Sequence, residues 1–456
     1  MRRAYDLVII GAGAAGSEAA FAVADGGKTS ILLVEANHFG GTCTNHGCVP
    51  TKALVKAGKV AQAMRTAAKY GLEAVEPRFD WSKVIGRADE VRDHMLRHGP
   101  EPFREAGVEV AYPSRARLLG EHRLQVDGRE LEARAVLLAC GLEPLIPPIP
   151  GLEESGYLDN QTALELEALP RRLAVLGAGP IGSEFAQIFA RFGVEVTVLE
   201  AGERMLPPEE PESGEALRQA FGAEGITVRT AAKLERVSLS GAGRRLELAG
   251  GSAVEVDSLL VAVGRELQGD ALGLDAAGVE WTPKGVRVDA HLRTSAPWVY
   301  AAGDIVGGLL FTHTATAMGG IAARNALAVG AGGGTEIYDP RIVPRVTFTE
   351  PEVASVGSTE RQAVEAGHSV KVGMALVKDA EKAQIDGQTI GHVKVVADED
   401  GQLLGCHIVC EAAGEMIHEA VAIMAGRLPI AVVAAEMHAY PTLSELLRSA
   451  LSKAAG

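Results

Sequence analysis

Two cysteines, Cys43 and Cys48, lie in the glycine-rich segment 40–52 and are separated by only four residues. A disulfide requires Cα atoms within about 7 Å of each other, and residues five apart in a regular helix are farther apart than that. Gly47 and Pro50 are residue types that loosen or break a regular turn, so we expect a distorted turn here. A disulfide strained by its backbone near a helix start is readily reduced, and the spacing therefore predicts a redox-active pair.

Two other uses of this cysteine pair are weaker. Two thiols fill only half of a zinc tetrahedron, and no pair of histidines is spaced to complete it. A structural disulfide is disfavoured in the reducing cytoplasm. The remaining cysteines, Cys140, Cys406 and Cys410, lie in apolar runs, and we predict that they are inert core residues.

The composition is that of a globular chain with about three domains, because 456 residues are too many for one compact core. A net charge of −15 argues against nucleic acid and anionic membrane surfaces as partners. No run of about 18 apolar residues predicts a membrane-spanning helix. The basic start imitates a signal peptide, but Asp6 and the glycines from Gly11 onward fit a nucleotide-binding turn better. We therefore expect a cytoplasmic protein.

The first nucleotide-binding pattern follows the apolar run Tyr5–Ile10, which is typical of a buried parallel strand. Its glycines are Gly11, Gly13 and Gly16, and a second apolar run ends at Glu35, nineteen residues after the last of them. The glycines let the turn close and let the backbone approach a pyrophosphate at the helix N-terminus, while the carboxylate accepts from a ribose hydroxyl. The alternative is an ordinary tight turn before a helix, but the strand–helix context and the acid favour the fingerprint.

The same pattern occurs a second time. Its glycines are Gly177, Gly179 and Gly182, and the strand that follows the helix ends at Glu200. Two complete fingerprints in one chain predict two dinucleotide sites, and the proline-rich stretch 147–151 between them reads as a linker.

Three further apolar strands read as returning to the nucleotide domains. They end at Gly141, Gly264 and Asp304, and the acid would lie at a strand's carboxyl end, where open α/β sheets bind ligands. A plain helix cap is the other reading of Asp304. After a predicted glycine hinge at 330–334, short strands and two helices indicate a separate α+β domain.

Along nearly its whole length the chain resembles the class I pyridine nucleotide-disulfide oxidoreductases, which include lipoamide dehydrogenase, glutathione reductase and mercuric reductase. The matching motifs are both fingerprints, the Gly-Gly-Thr-Cys-x₄-Cys-Val-Pro-Thr-Lys run, Ala301–Asp304 and the segment Pro441–Glu445. The resemblance implies an α/β protein with two Rossmann-like dinucleotide-binding domains, for FAD and NAD(P), and a C-terminal α+β dimerisation domain. The predicted ranges are 1–149 and 265–335 for FAD, 150–264 for NAD(P) and 340–456 for dimerisation.

The resemblance also implies roles for individual residues. Cys48 would lie against the flavin, Cys43 would meet the substrate, and Lys52 would pair with Glu184 beside the flavin's reactive nitrogen. From the residues alone, that lysine and glutamate would read as solvated surface charges. The cofactor-binding residues predicted from the motifs are Gly11, Gly13, Gly16, Glu35, Gly41, Thr42, Lys52, Gly141, Asp304, Gly177, Gly179, Gly182, Glu200 and Gly264.

The implied mechanism passes a hydride from NAD(P)H to FAD and electrons onward to the Cys43–Cys48 disulfide, whose dithiol then acts on a second substrate. Glu200 favours NADH, because a carboxylate accepts from the 2′-OH and repels a 2′-phosphate, although Arg204 nearby could partly accommodate a phosphate. A homodimer is expected, with residues 438–445 completing the active site of the partner subunit.

The C-terminal motif departs from that of the disulfide reductases, which read His-Pro-Thr-x-x-Glu with the histidine as acid/base. Here Tyr440 precedes Pro-Thr and Glu445 ends the motif, while His438 stands two residues upstream. A tyrosine is a poor proton shuttle at neutral pH, although it can donate a hydrogen bond to a thiolate. Mercuric reductases carry tyrosine there, which predicts a similar metal-ion reductase in which Cys43 and Cys48 transiently bind Hg²⁺.

Three alternatives stay open at this point. The tail 451–456 lacks the vicinal cysteines of many mercuric reductases, so the second reading is a lipoamide-dehydrogenase-like enzyme in which His438 substitutes. The third is a reductase of another metal ion or small oxidant, and the last is a catalytically retired flavoprotein subunit. Intact Cys43, Cys48, Lys52 and Glu184 speak against the last.

Overall fold

A computed structural model describes residues 4–328 and 336–456, so the predicted glycine hinge at 330–334 lies outside the described residues. The chain divides into two compact units, described separately below. The first comprises Met1–Pro50, Arg87–Leu145 and Gly264–Asp339, and the second comprises Thr51–Gly86, Ile146–Val263 and Pro340–Gly456. Among the described residues, no helix is both long and apolar enough to span a bilayer. The domain limits at 149, 264 and 340 stay predictions.

The first stretch of chain begins with the strand–helix–strand alternation that its first fingerprint predicts. Its strands are β1 (Ala4–Ile10), β2 (Ile31–Val34), β3 (Glu109–Ala111), β4 (Ala116–Gly120), β5 (Arg123–Val126), β6 (Arg129–Leu138) and β7 (Glu143–Pro144). Its helices are α1 (Ala14–Val23), α2 (Gly41–His46), α3 (Cys48–Thr66), α4 (Trp81–Leu96) and α5 (Glu101–Glu105).

The next stretch repeats this alternation around the second fingerprint. Its helices are α6 (Leu152–Ser155), α7 (Pro180–Arg191) and α8 (Pro211–Ala223). Its strands are β8 (Arg172–Leu176), β9 (Glu195–Leu199), β10 (Thr227–Arg229), β11 (Leu234–Ser240), β12 (Gly243–Leu248), β13 (Ala253–Val256) and β14 (Ser258–Val261).

The rest of the chain first returns to the first unit and then forms the C-terminal part. The returning elements are β15 (Arg265–Glu266), α9 (Gly269–Leu272), β16 (Trp281–Thr282), β17 (Gly285–Val286), β18 (Val299–Ala301) and α10 (Thr312–Ala328). The C-terminal strands are β19 (Arg345–Thr347), β20 (Glu352–Gly357), β21 (Lys371–Leu376), β22 (His392–Ala397) and β23 (Leu403–Cys410). The C-terminal helices are α11 (Glu360–Glu365), α12 (Glu381–Asp386), α13 (Ala413–Gly426), α14 (Ile430–Ala435) and α15 (Ser444–Ala455).

The first unit is built on a sheet whose central strands are parallel, in the order β3-β2-β1-β6, with β18 parallel to β6. Strands β1, β2 and β18 and the last residues of β6 are buried on both faces, which explains their continuous apolar runs. Strand β6 has two partners on one side: its first half pairs antiparallel with β5, and its last residues pair with β18. Because parallel strands end at one edge, β1, β2, β6 and β18 deliver the residues that follow them to the same place.

The described residues of the second unit form three sheets, and the smallest is the antiparallel sheet β11-β12-β13. Strands β10, β9, β8 and β14 form a parallel sheet in that order, so β8, β9 and β14 also end at a common edge. The C-terminal sheet runs β19-β20-β23-β22-β21 with antiparallel neighbours, and α13 and α15 pack against it. Two open parallel sheets and an antiparallel sheet covered by helices confirm the predicted α/β class.

The cysteines outside the redox segment are placed differently from one another. Cys406 and Cys410 are buried in β23 as predicted, and burial raises the pKa of both thiols. Cys140 contradicts the prediction of a core residue, because it is exposed. It follows β6 at the carboxyl edge of the first sheet.

A group of buried charges lies on the C-terminal sheet. The side chain of Lys394 is 3% exposed, and its Nζ contacts Glu210 (3.1 Å), Glu212 (3.0 Å) and Glu360 (2.8 Å). Desolvation opposes the charge of Lys394, but the hydrogen bonds that its ammonium donates to these carboxylates outweigh it and raise the pKa of the lysine. On the same strand, burial lowers the pKa of His392 to about 4, which means that the imidazole is neutral in the folded protein.

We expect acidification to destabilise the protein through His392. As the pH falls, the unfolded chain binds the proton near pH 6.5 and the folded chain only near 4, so the imidazole's stabilising contribution is complete above pH 6.5 and is lost toward pH 4. The loss between pH 7.5 and 5 amounts to about 2 kcal/mol. Urea unfolding at the two pH values measures it, and His392→Gln should remove this part of the pH dependence. An identical pH dependence in the variant would contradict the assignment.

Candidate active site

The first fingerprint closes on the sheet edge as tightly as its glycines require. Gly11 has φ +105°, and a Cβ there would lie 2.5 Å from the carbonyl oxygen of Ala139. A Cβ on Gly16 would overlap the carbonyl oxygen of Gly11. These two glycines are therefore demanded by the protein itself, through a left-handed turn and close backbone approach.

Neither a left-handed turn nor close backbone approach requires a glycine at Gly13. Its φ of −74° is open to any residue, and a Cβ there would come no closer than 3.7 Å to Gly41 Cα. Gly13 is also the N-cap of α1, and no side chain accepts from the first amides of that helix. Uncrowded space beside a helix N-terminus that no side chain caps fits the pyrophosphate of a dinucleotide.

Glu35 is buried and holds the turn from the next strand. Its carboxylate accepts hydrogen bonds from the backbone N–H groups of Ala12 (2.7 Å), Asn37 (2.7 Å) and His38 (3.1 Å). Two carboxylate oxygens offer about four acceptor positions, so one position is left for a ribose hydroxyl. The residues around the first fingerprint thus fit the adenosine and pyrophosphate of FAD.

The second fingerprint repeats this geometry. Glu200 accepts from the backbone N–H groups of Ala178 (2.8 Å) and Gly202 (2.7 Å). Gly177 has φ +103°, with the Ala262 carbonyl oxygen 2.5 Å from where its Cβ would be. Gly182 is equally constrained, because a Cβ there would overlap the carbonyl oxygen of the first glycine.

Gly179 is the open position of the second fingerprint. It caps α7 with φ −73°, no side chain caps the helix, and a Cβ would meet nothing within 4 Å. This glycine leaves room that the protein does not use, which fits the pyrophosphate of a pyridine nucleotide.

Asp304 lies three residues beyond the end of β18, and its carboxylate accepts a hydrogen bond from Arg265 Nη1 at 2.9 Å. The alternative of a plain helix cap is not needed to account for it. Burial raises the pKa of Asp304, and the guanidinium offsets part of that rise. Gly141 and Gly264 also follow strands and have φ +74° and +138°. A Cβ at either position would not clash with a neighbouring atom.

The redox segment contains the predicted break, but Pro50 does not cause it. Helix α2 ends at His46, Gly47 is non-helical with φ −135° and ψ −119°, and α3 begins at Cys48. Pro50 lies inside the first turn of α3, where a proline costs no hydrogen bond, so the expectation that it breaks the turn was wrong. Cys43 is half-buried and Cys48 is exposed, whereas Thr42 lies in the first turn of α2.

Side chains and backbone hold this segment in place. The buried Asn45 donates its amide to the carbonyl oxygens of Phe39 (2.8 Å) and Gly41 (2.9 Å). The sulfur of Cys48 lies 3.5 Å from Thr312 Oγ1, at the first residue of α10. Cys48 thus lies where a chain segment from far downstream reaches it.

Lys52 follows Cys48 by four residues on α3 and is paired. Its Nζ lies 2.7 Å from Glu184 Oε2 on α7, and 4.6 Å from the centre of the Phe348 ring. The other carboxylate oxygen of Glu184 accepts from the backbone N–H of Phe348 at 2.9 Å. The carboxylate is 7% exposed and the lysine 33% exposed, so the cation faces outward from a buried, fully engaged acid.

The C-terminal motif does not form a histidine–glutamate dyad with Glu445. That carboxylate accepts from the Thr442 backbone N–H at 3.3 Å, whereas His438 Nε2 lies 2.9 Å from Glu419 Oε1 on α13. His438 is 9% exposed in its side chain, and Tyr440 is 69% exposed. The side chain of Tyr440 is therefore exposed to solvent, whereas that of His438 is mostly covered and packs against α13.

Residues 5–319 match the family model described as pyridine nucleotide-disulphide oxidoreductase, and residues 343–451 match the dimerisation domain of the same family. The chain belongs to the pyridine nucleotide-disulphide oxidoreductase family. It is accordingly an FAD-dependent oxidoreductase that uses a pyridine nucleotide, and the predicted family and enzyme class are confirmed.

Relatives within the pyridine nucleotide-disulphide oxidoreductases differ in substrate at equal similarity. Dihydrolipoyl dehydrogenase of Bacillus subtilis is 35% identical over 99% of this chain and 98% of its own. Mercuric reductase of Streptomyces lividans is 36% identical over 98% of this chain and 95% of its own. A solved HOCl-induced flavoprotein disulfide reductase of Escherichia coli is 30% identical, covers 98% of this chain and 99% of its own, and has a TM-score of 0.85. A Cu(II) complex of that protein has a TM-score of 0.86 at 29% identity.

The structure adds residues to this family site that sequence reasoning missed. They are Thr312 beside Cys48, Arg265 on Asp304, Phe348 at the lysine–glutamate pair, and Glu419 on His438. The only sequence signal was that Arg265 follows Gly264; the other three are distant in sequence from the residues that they contact.

The open position at Gly179 separates folding from coenzyme binding. We expect Gly179→Ala to change the free energy of unfolding by less than about 1 kcal/mol, since only the cap preference changes. NADH binding should weaken by about tenfold or more, because a methyl group would fill the approach of the pyrophosphate. Equilibrium titration with NADH and thermal unfolding measure the two effects.

A matched control is Gly222→Ala on α8, whose Cβ would also meet nothing within 4 Å. It should leave both the FAD content and the NADH affinity unchanged. Unaltered NADH affinity in Gly179→Ala would show that the space serves no ligand.

Proposed function

We propose that the chain reduces a soft metal ion, with Hg²⁺ as the leading substrate, at the expense of NADH and through the cysteines of the redox segment. The observation that carries the proposal is Tyr440, which stands where disulfide reductases have their acid/base histidine and is 69% exposed. Glu445, the residue that would orient such a histidine, is bonded to the backbone of Thr442 instead.

The domains follow from this proposal. Residues 1–149 and 265–335 hold FAD, through the first fingerprint, Glu35 and Asp304, and residues 150–264 hold the coenzyme through the second fingerprint. Residues 340–456 join two copies in a homodimer, for which the matched dimerisation domain is the support. Bound FAD supplies a ring that accepts two electrons from a reduced nicotinamide and passes them to a disulfide.

Protons distinguish the candidate substrates. When Cys43 and Cys48 reduce Hg²⁺, the dithiol becomes a disulfide, the metal takes both electrons, and two protons leave. When they reduce a disulfide, each thiolate released must receive a proton, which requires a general acid. Thiolates bind soft metal ions, and a tyrosine hydroxyl can donate to a thiolate without transferring its proton.

Relatives support a metal ion in two ways. Mercuric reductases are as similar to this chain as dihydrolipoyl dehydrogenases are, and the E. coli flavoprotein disulfide reductase has been solved as a Cu(II) complex. Cu(II) is therefore the second metal to test; its reduction to Cu(I) takes one electron, so one dithiol, in becoming a disulfide, would reduce two ions and release two protons.

A lipoamide-dehydrogenase-like enzyme is the second candidate, and the observation in its favour is the 2.9 Å contact between His438 and Glu419. A carboxylate on one ring nitrogen orients an imidazole for acid/base work. The 9% exposure of the His438 side chain opposes this use, because a shuttle must reach the substrate thiol.

NADH is the proposed coenzyme because of Glu200. A carboxylate at that strand end accepts from a 2′-OH and repels a 2′-phosphate. Arg204, the residue that could offset this, donates its Nη2 to the Pro207 carbonyl oxygen at 2.7 Å.

The roles of the two thiols can be told apart by absorption. If Cys48 lies against the flavin, Cys43→Ser should show a long-wavelength band without any reductant, because Cys48 then stays a thiolate beside the oxidised ring. Cys48→Ser should lack that band. Identical spectra of the two variants would mean that the roles are misassigned.

Tyr440 decides between the substrates. We expect Tyr440→Phe to reduce Hg²⁺ turnover while the rate of flavin reduction by NADH stays unchanged. Tyr440→His should raise lipoamide reduction, because general acid–base catalysis contributes roughly 10²–10⁴-fold. Steady-state rates on Hg²⁺ with thiol, Cu²⁺, lipoamide and glutathione disulfide, together with stopped-flow flavin spectra, measure these effects.

His438→Ala is the matched variant for the second candidate. If the unmodified enzyme reduces lipoamide rapidly and this variant does not, His438 is the working base and the metal-ion proposal is wrong.

A further inference from the structure

Helix α7 carries more than the coenzyme fingerprint and Glu184. Glu184, Gln187 and Arg191 are spaced i, i+3 and i+7, so they share one face of the helix. All three side chains are buried, with 6%, 4% and 4% exposure. Three buried polar residues on one face require partners, and each of them has its partners in or beside the segment Phe348–Glu352.

The partners of Gln187 are backbone groups. The Glu350 backbone N–H donates to Gln187 Oε1 at 2.8 Å, and Gln187 Nε2 donates back to the Glu350 carbonyl oxygen at 2.8 Å. The same amide nitrogen lies 2.9 Å from Glu224 Oε1. The Gln187 side chain therefore forms hydrogen bonds with both backbone polar groups of Glu350. Two such bonds fix the position of Glu350 along the α7 axis as well as its distance from the helix.

The neighbouring turns of α7 hold the same segment. Arg191 bonds Glu224 through Nε (2.8 Å) and Nη2 (2.7 Å), and Nη2 also contacts the Glu350 carboxylate at 2.6 Å. One turn before Gln187, Glu184 accepts from the Phe348 backbone N–H. The segment that receives these bonds also contacts α3, because Lys52 lies over the Phe348 ring and Lys59 pairs with Glu352 at 3.2 Å.

We propose that Gln187 is a positioning residue that sets the Lys52–Glu184 pair. Its two bonds to Glu350 fix how far α7 lies along the segment 348–352, and that position decides whether the Glu184 carboxylate meets Lys52 Nζ at 2.7 Å. Without the two Gln187–Glu350 hydrogen bonds, Phe348 and Glu184 can shift relative to each other, and Lys52 loses a fixed partner. The importance of the pair for electron transfer rests on the proposed function, whereas its geometry does not.

The test is the chemical reactivity of Lys52 in the FAD-loaded protein. Gln187→Met keeps the approximate length and volume of the side chain and removes its two hydrogen bonds to Glu350, together with the one to Glu224. We expect the rate of Lys52 acetylation by acetic anhydride, relative to exposed Lys28, to rise about five- to tenfold, as for the loss of one or two ordinary hydrogen bonds. An ammonium clamped between a carboxylate and a ring is shielded, and its release exposes it. Mass spectrometry at fixed pH, well below the unfolding temperature, gives both rates.

Gln219→Met on the exposed face of α8 is the matched control, and it should leave the ratio unchanged. If Gln187→Met does not fold, Arg191→Lys weakens a second contact between α7 and the same residue, Glu350, by replacing a forked donor with a point charge, and a smaller rise in the ratio is expected. An unchanged ratio in a folded Gln187 or Arg191 variant, or an equal rise in Gln219→Met, would overturn the proposal. Because labelling reads Lys52 itself, a failure of metal-ion turnover in the unmodified enzyme would refute the proposed function and leave this test intact.

Discussion

The backbone of the redox segment packs directly on the backbone of the first fingerprint, and the position of both cysteines depends on this contact. The Gly40 N–H donates to the Ala12 carbonyl oxygen at 2.9 Å, and a Cβ on Gly41 would lie 2.7 Å from Gly13 Cα. No side chain fits in that space. Gly40 and Gly41 both have positive φ, so the turn that leads into α2 is available only to a chain with glycine there. The backbone of the nucleotide-binding turn therefore sets the positions of the two thiols.

The same reliance on backbone appears in the two acids that follow the fingerprints. Glu35 and Glu200 each accept from the N–H of the residue between the first two glycines, Ala12 and Ala178, and from amides just beyond themselves. A carboxylate that is already held by amides needs no further ordering when a ribose arrives. The cost of fixing its rotamer is met in folding, which is the general advantage of a preformed site.

Sequence reasoning succeeded where local pattern determines geometry. The strands β1 and β8, the glycine turns and the helix break at Gly47 all follow from residues next to one another, and the structure has them where the pattern predicts. It failed at Cys140, because apolar neighbours on β6 do not reveal that the strand ends at Leu138, two residues earlier. It also failed at Pro50, because a proline breaks a helix only beyond its first turn. The partners Thr312, Phe348 and Glu419 could not be predicted, since each is brought in by chain topology from a segment with no motif of its own. Only the family's motif suggested that Lys52 and Glu184, both ordinary charged residues by type, are of interest.

Strand β6 has a consequence for how the protein is made. Its first half is covered by β5, which is synthesised just before it, but its last residues, 136–138, pair with β18. The backbone N–H and C=O groups of residues 136–138 lie in the part of the sheet nearest to the nucleotide-binding edge. On the ribosome they stay an open edge until residues 299–301 emerge, after the whole of Ile146–Val263 has been translated. An unpaired strand edge is a template for pairing with other chains. The nascent chain therefore passes through a long interval in which its first nucleotide sheet is incomplete, while the inserted stretch Ile146–Val263 has already been synthesised.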